Sequence, residues 1–382
     1  FEMDTKECIA SGNFERVGLD GSFYTIKYNG EKVREEITIQ NHTVAVEILL
    51  DRLISLGIIN DLSEINGVGH RIVHGGSKYK NSVIVDSEVI EDLKSYKDLA
   101  PLHNPAHILG IEAVKKALPN VKMVVVFDTA FHQTMSPVEY IYPVPYEWYE
   151  KYGVRKYGFH GTSHRYVSMQ IPRLIGKDQY KAIICHLGSG GSISAVKNGV
   201  CVDTTMGFTP NAGIMMGTRC GDIDYTMLSY VMKKTGFNLE KIDSMLNRES
   251  GLAGIAGMSD LRDLDRAFEA GEEKVKLAFD MYTNKIVDYI AKYYVKLNGK
   301  VDAICFTAGG GENDSIIREE ALKKLTSLGI ILDNKKNNEM IVRKGNEGII
   351  TTDDSKIPVY VVATDEELMI ARDAYSFVKN YN

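Results

Sequence analysis

Short apolar runs rich in β-branched residues recur along this chain, separated by longer stretches of helical period. Residues 122–128, 182–188, 301–307 and 358–364 each read as a buried strand. The clearest helix is predicted over 272–297, where Val275, Phe279, Tyr282, Ile286, Tyr289 and Tyr293 recur at spacings of three and four and form one apolar stripe. Residues 23–40 alternate around Asn29-Gly30, a pair that tolerates the positive φ of a type I′ turn and so predicts a hairpin. Strands alternating with helices place the chain in the α/β class.

Composition narrows this picture. The 382 residues carry a net charge of -6, with 44% hydrophobic and 25% charged positions. At about 100–200 residues per domain, two domains are expected. An acidic balance lacks the basic face that nucleic acid requires. No apolar run approaches the roughly 18–20 residues of a membrane span, and the charged residues of 1–12 exclude a secretory signal. The five cysteines are scattered without a CxxC pair, which predicts reduced thiols and a cytoplasmic location.

Candidate chemistry sits at the carboxyl ends of the predicted strands, where open α/β sheets bind ligands. Those ends read Asp128, then His186 followed by Gly188-Ser189-Gly190-Gly191, then Gly309-Gly310-Gly311-Glu312-Asn313, then Asp365-Glu366-Glu367. Glycine turns let backbone N–H groups close on phosphate oxygens, and carboxylates hold Mg²⁺ directly or through its water. Neither run is a P-loop or a strand-first GxGxxG. Three histidine pairs are four apart, His70/His74, His103/His107 and His160/His164. Their Gly and Pro neighbours argue against helical zinc dyads and for loop donors to an anion. Arg71 and the glycine-flanked Arg219 add planar forks suited to carboxylate or phosphate. From pattern alone the chain is an α/β phosphotransferase handling a small anion.

Several blocks carry a closer resemblance. GHRIVHGG at 69–76, LAPLHNP at 99–105, VFDTAFHQTM at 126–135, YGFHGTSH at 157–164, MGFTP at 206–210 and GTRCG at 217–221 resemble, in order, those of the acetokinase family within the actin/sugar-kinase/Hsp70 superfamily. The resemblance implies a two-domain actin-like ATPase fold, ribonuclease H-like, with a nucleotide cleft between the domains. Residues 1–130 plus 366–382 would form the first domain and 131–365 the nucleotide-binding second. It implies reversible in-line transfer of the γ-phosphoryl group of ATP to acetate, with Mg²⁺ (Mn²⁺ as a substitute), in a homodimer. Matched by motif position, Arg71, Asp128, His160 and Arg219 would be catalytic and His103 supporting. Val73, Leu102, Phe159 and Pro210 would line the methyl pocket. His186, Gly188, Ser189, Gly190, Asp260, Arg262, Gly309, Gly310, Gly311 and Asn313 would bind ATP, and Glu366 would lie in the metal shell.

Departures from the family pattern keep two alternatives open, a propionate or butyrate kinase and a nucleotide-binding chain without transfer. The family's first signature, an Asn followed by a Gly-Ser-Ser-Ser-type turn, has no counterpart after Phe1, so the first strand of domain one is expected to be missing from the sequence as written. Ser189 replaces a usual Asn, Gly310 a larger apolar residue expected against adenine, and Asp365 another Asn.

Overall fold

The computed structural model describes residues 1–100 and 103–380, excluding the Asn380 side chain. Contacts divide the chain into two compact units, Phe1–Ala130 with Asp365–Asn382, and Phe131–Thr364.

The first unit holds two three-stranded sheets. One is an antiparallel meander of Ala10–Glu15, Phe23–Tyr28 and Glu31–Glu36. Its second turn is the expected Asn29-Gly30, with φ of 47° and 78°, as a type I′ hairpin demands. In the other sheet Gly67–Ile72 runs parallel to Lys122–Phe127, which also pairs with Val83–Ile84. The core here is Ile72, Leu93, Ile111, Val125 and Phe127 with their neighbours.

Helix Glu366–Asn380 lies against the strand Gly67–Ile72, and the sequence of that strand shows why. Gly67 and Gly69 are two apart and so share a face. A Cβ on Gly67 would sit 2.6 Å from Val378 Cγ2, and one on Gly69 would sit 2.4 Å from Ile370 Cγ2. Only glycine lets the last helix pack this closely, and the helix is capped where it begins, at Glu366, by Asp365 Oδ1, which accepts from Leu368 N at 2.8 Å.

The second unit is built on a six-stranded sheet in the order Gly348–Ile349, Val359–Val361, Ala303–Thr307, Lys181–Leu187, Gly191–Lys197, Val200–Thr204. The last three form an antiparallel meander, while Ala303–Thr307 is parallel to both of its neighbours. A meander followed by parallel strands added on its first edge is the ribonuclease H-like arrangement. The helix Glu273–Lys296 buries Val275, Phe279, Tyr282, Ile286 and Tyr293 against this sheet, with Tyr289 only partly covered. No helix among the described residues is long and apolar enough to cross a membrane.

Two expectations about local structure are corrected. Pro105 does not break a helix but opens Asn104–Ala117 from its first turn, with His103 at the N-cap, because the missing N–H of proline is unneeded there. The glycine run 309–311 is not a loop: Ala308–Asn313 is a short helix that starts directly from the strand Ala303–Thr307.

Candidate active site

In the first unit, parallel pairing sets Arg71 opposite Val126 and Ile72 opposite Phe127. Asp128 follows immediately, its N–H donating to Ile72 O at 2.9 Å. Arg71 then grips Asp128 twice, Nε to Oδ1 at 2.9 Å and Nη2 to Oδ2 at 2.7 Å. The Asp128 side chain is 2% exposed and that of Arg71 44%, so one edge of the fork still faces solvent. The carboxylate beside it raises the Arg71 pKa, and the cation is permanent.

Glu366 shares this environment. Burial, and then the Asp128 charge, push its carboxyl up to about 7. Its Oε2 is buried with no hydrogen-bond partner. An orphaned carboxylate oxygen beside a second carboxylate suits a hydrated Mg²⁺, which needs few protein ligands because it keeps water and binds phosphate oxygens. Among the described residues no set of three or more His, Cys, Asp or Glu side chains is placed to hold a metal by itself. Val73 is buried at the end of the same strand, and Leu102 lies outside the described residues.

Two first-unit histidines are not the loop donors expected: His70 lies in the strand Gly67–Ile72 and His107 in the helix Asn104–Ala117. Burial holds His70 and His107 down to about 4, and His70 Nε2 and His107 Nδ1 are buried without partners. Both are neutral at pH 7.

In the second unit His160 caps the helix Gly161–Ile175 with φ 58° and ψ 22°, left-handed for a residue with a side chain. Such a conformation costs about 1–3 kcal/mol and marks a constrained position. His160 stacks on His186, ring centroids 4.1 Å apart. His160 Nδ1 lies 2.9 Å from Ser192 Oγ, which is also 2.7 Å from His164 Nε2. His164 Nδ1 is 2.7 Å from Ser194 Oγ, and His186 Nδ1 is 2.7 Å from Ser163 Oγ.

Arg219 converges on the same spot. A Cβ on Gly190 would lie 3.2 Å from Arg219 Nη1 and 3.4 Å from His160 Nε2. Arg219 is half-buried, donates Nη1–H to Pro210 O at 3.1 Å, and has no carboxylate partner among the described residues. Burial depresses its pKa. A shielded guanidinium without a counter-ion is a site for an anion. Its loop is packed down on Gly251, where a Cβ would lie 2.0 Å from Met216 O and 2.7 Å from Arg219 O.

A cavity of about 370 Å³ opens beside the strand ends, lined among others by Gly188, Ser189, Gly309, Gly310 and Asn313. Asp260 and Arg262, paired at 2.6 Å, stand exposed in its wall. Asp265, Tyr282, Asp314 and Arg343 also line it. These four were missed in the sequence; Asp314 directly follows Asn313, but nothing local links the other three to the glycine turns. Asp265 and Asp314 face each other, and burial with the neighbouring carboxyl pushes Asp265 up to about 7. The anticipated nucleotide residues therefore separate. Gly190 and His186 belong to the Arg219 cluster. Gly311 is buried against Phe306 and Cys185, and its carbonyl accepts from Arg318 Nη1 at 2.9 Å. Phe159 is buried, its carbonyl 2.9 Å from His132 Nε2.

The model of the acetokinase family matches residues 1–372. The chain belongs to the acetokinase family. Acetate kinase of Bacillus cytotoxicus is 48% identical over 376 residues, 98% of this chain and 94% of the relative. Acetate kinase of Clostridium novyi is 48% identical over 386 residues, 100% and 95%. The crystal structure of Porphyromonas gingivalis acetate kinase superposes with TM-score 0.92 at 43% identity, covering 99% of this chain and 95% of that one. A propionate kinase from Francisella tularensis also gives 0.92, at 37% identity and 98% and 94% coverage.

Proposed function

We infer that this protein is a phosphotransferase acting on acetate, moving the γ-phosphoryl group of ATP reversibly to a carboxylate oxygen. The observation that carries the reading is the Arg219 guanidinium, without a carboxylate partner among the described residues, beside His160 and the glycine turn 188–190, in a chain 48% identical to an acetate kinase over 98% of its length.

Acetate is an anion at neutral pH, so no base is needed to create the nucleophile. The obstacle is charge, since the carboxylate must approach a polyanion. Fixed cations and donors lower that barrier without reorganising during the reaction. Arg71 and Arg219 are assigned to the carboxylate and the transferring phosphoryl group. Asp128 holds the Arg71 fork in one orientation. His160 donates from Nε2 to an equatorial phosphoryl oxygen. The cavity of Gly188, Ser189, Asp260, Arg262, Gly309, Gly310 and Asn313 is assigned to the nucleoside. Glu366 is assigned to Mg²⁺, with Asp128 beside it engaged by Arg71, and the ion would supply charge neutralisation on the phosphate oxygens.

Val73, Phe159 and Pro210 are assigned to the methyl group. One added methylene changes binding by about 1–3 kcal/mol, so propionate is expected as a slower substrate. The test is acyl hydroxamate formation from ATP, Mg²⁺ and hydroxylamine. Acetate should give a higher kcat/KM than propionate, and ATP binding with no hydroxamate from either acid would defeat the reading.

A further inference from the structure

Ser194, His164, Ser192 and His160 form one chain of hydrogen bonds, with contacts of 2.7, 2.7 and 2.9 Å in that order. The pattern behind it is local. Ser192 and Ser194 alternate on the strand Gly191–Lys197 and point to one face, while His160 and His164 lie one helical turn apart. Ser192, Ser194 and His164 are each fully buried.

We propose that Ser194, His164 and Ser192 are positioning residues that fix His160 as a neutral imidazole with its proton on Nε2. The reasoning is a count of donors. A serine hydroxyl gives one hydrogen and a neutral imidazole gives one. The chain can therefore run in only two directions. In the first, Ser194 donates to His164 Nδ1, His164 Nε2–H donates to Ser192, and Ser192 donates to His160 Nδ1. In the second, every donor is reversed and His160 Nε2 is bare.

The far end decides between them. Ser194 Oγ has no other hydrogen-bond partner among the described residues. In the reversed direction its hydroxyl hydrogen is buried with no acceptor, which carries a desolvation penalty of a lost hydrogen bond. The first direction leaves nothing stranded but lone pairs. Protonating His160 on Nδ1 would force Ser192 to turn its hydrogen to His164 and strand Ser194 in the same way. The complete burial of His164, which holds its pKa far down, keeps that ring neutral and leaves it a single proton to pass on. The result aims an N–H from His160 towards Gly190 and Arg219, where the phosphoryl oxygen is assigned. This inference rests on the proposed reaction only for the use of that N–H. The tautomer itself follows from the serines.

Long-range ¹H–¹⁵N correlation on the ¹⁵N-histidine protein at pH 7 tests it without any variant, with His160→Gln identifying the resonance. The expected result is the Nε2–H tautomer at both His160 and His164. An Nδ1–H or imidazolium His160 overturns the proposal. Ser192→Ala is expected to give mixed His160 tautomers and a kcat about tenfold lower, with both KM values within about twofold. Ser192→Thr, which keeps the hydroxyl, should restore the single tautomer. An unchanged tautomer in Ser192→Ala also overturns it. If His160→Gln retains full activity, the catalytic assignment of His160 fails while the tautomer measurement stands.

Discussion

Asp128 holds Arg71 by two parallel hydrogen bonds across neighbouring parallel strands, and the acid is the buried partner. The carboxylate is thus already committed, and its value to the site is the orientation it gives the guanidinium. Asp128→Asn should keep the shape and lose the charge. The predicted result is stability lower by about 1–3 kcal/mol in urea unfolding and a kcat at least tenfold lower. Arg71→Lys should be as harmful to activity as Arg71→Ala, because an ammonium cannot reproduce the fork. Steady-state kinetics on the three variants checks this.

Glu366 titrates at about 7 because burial and Asp128 disfavour its anion. A proton on this carboxyl competes with a divalent cation. The Mg²⁺ concentration giving half-maximal activity should therefore rise as pH falls from 8 to 6. Glu366→Gln should show a high value with little pH dependence, measured by Mg²⁺ titration at each pH.

Asp265, also near 7, carries a consequence for stability. Its folded pKa is raised, so its contribution to stability is fully present below the unfolded value of about 3.9 and is lost as pH rises through 7. Asp265→Asn should leave Tm nearly unchanged at pH 5. At pH 8.5, where wild type would hold two facing carboxylates, the variant should melt higher. Thermal denaturation without ligand at the two pH values decides it.

Gly310 has no room for a side chain. A Cβ there would lie 2.8 Å from Leu261 Cδ1 and 2.9 Å from Leu187 O, and the latter is backbone that cannot yield easily. A larger residue here is thus excluded by the Leu187 carbonyl, and would press on Leu261, itself a lining residue of the cavity. Gly310→Ile is predicted to weaken ADP binding at least tenfold by calorimetry, with stability lower by about 1–3 kcal/mol.

Much of this was legible in the sequence because it is local. The strand runs, the Asn29-Gly30 turn and the stripe of the long helix are periodic signals, and each formed at its expected place, although the run 358–364 pairs only over Val359–Val361 and the alternation of 23–40 ends its second strand at Glu36. The strand-end residues Asp128, Gly188 and Gly309 were legible for the same reason. Glu312 was not, because its carboxylate accepts from Ala308 N and Thr364 N, at 2.9 and 2.8 Å, and the second partner is 52 residues away. Arg343 joined the cavity through a contact just as remote, its N–H donating to Asn313 Oδ1 at 2.8 Å across 30 residues, whereas Asp314 directly follows Asn313 and was within reach. Ser192 and Ser194 were within reach: an alternating serine pair on an otherwise apolar strand next to His186 is polar without a surface reason.

The central claim is that Arg219 is an anion-binding cation poised for the transferring phosphoryl group. Single-turnover formation of acetyl phosphate by Arg219→Ala, set beside ADP affinity of the same preparation, tests it most directly. The account predicts ADP affinity within a few-fold of wild type and a transfer rate lower by about 10³-fold. Transfer at the wild-type rate with Arg219 removed would contradict it.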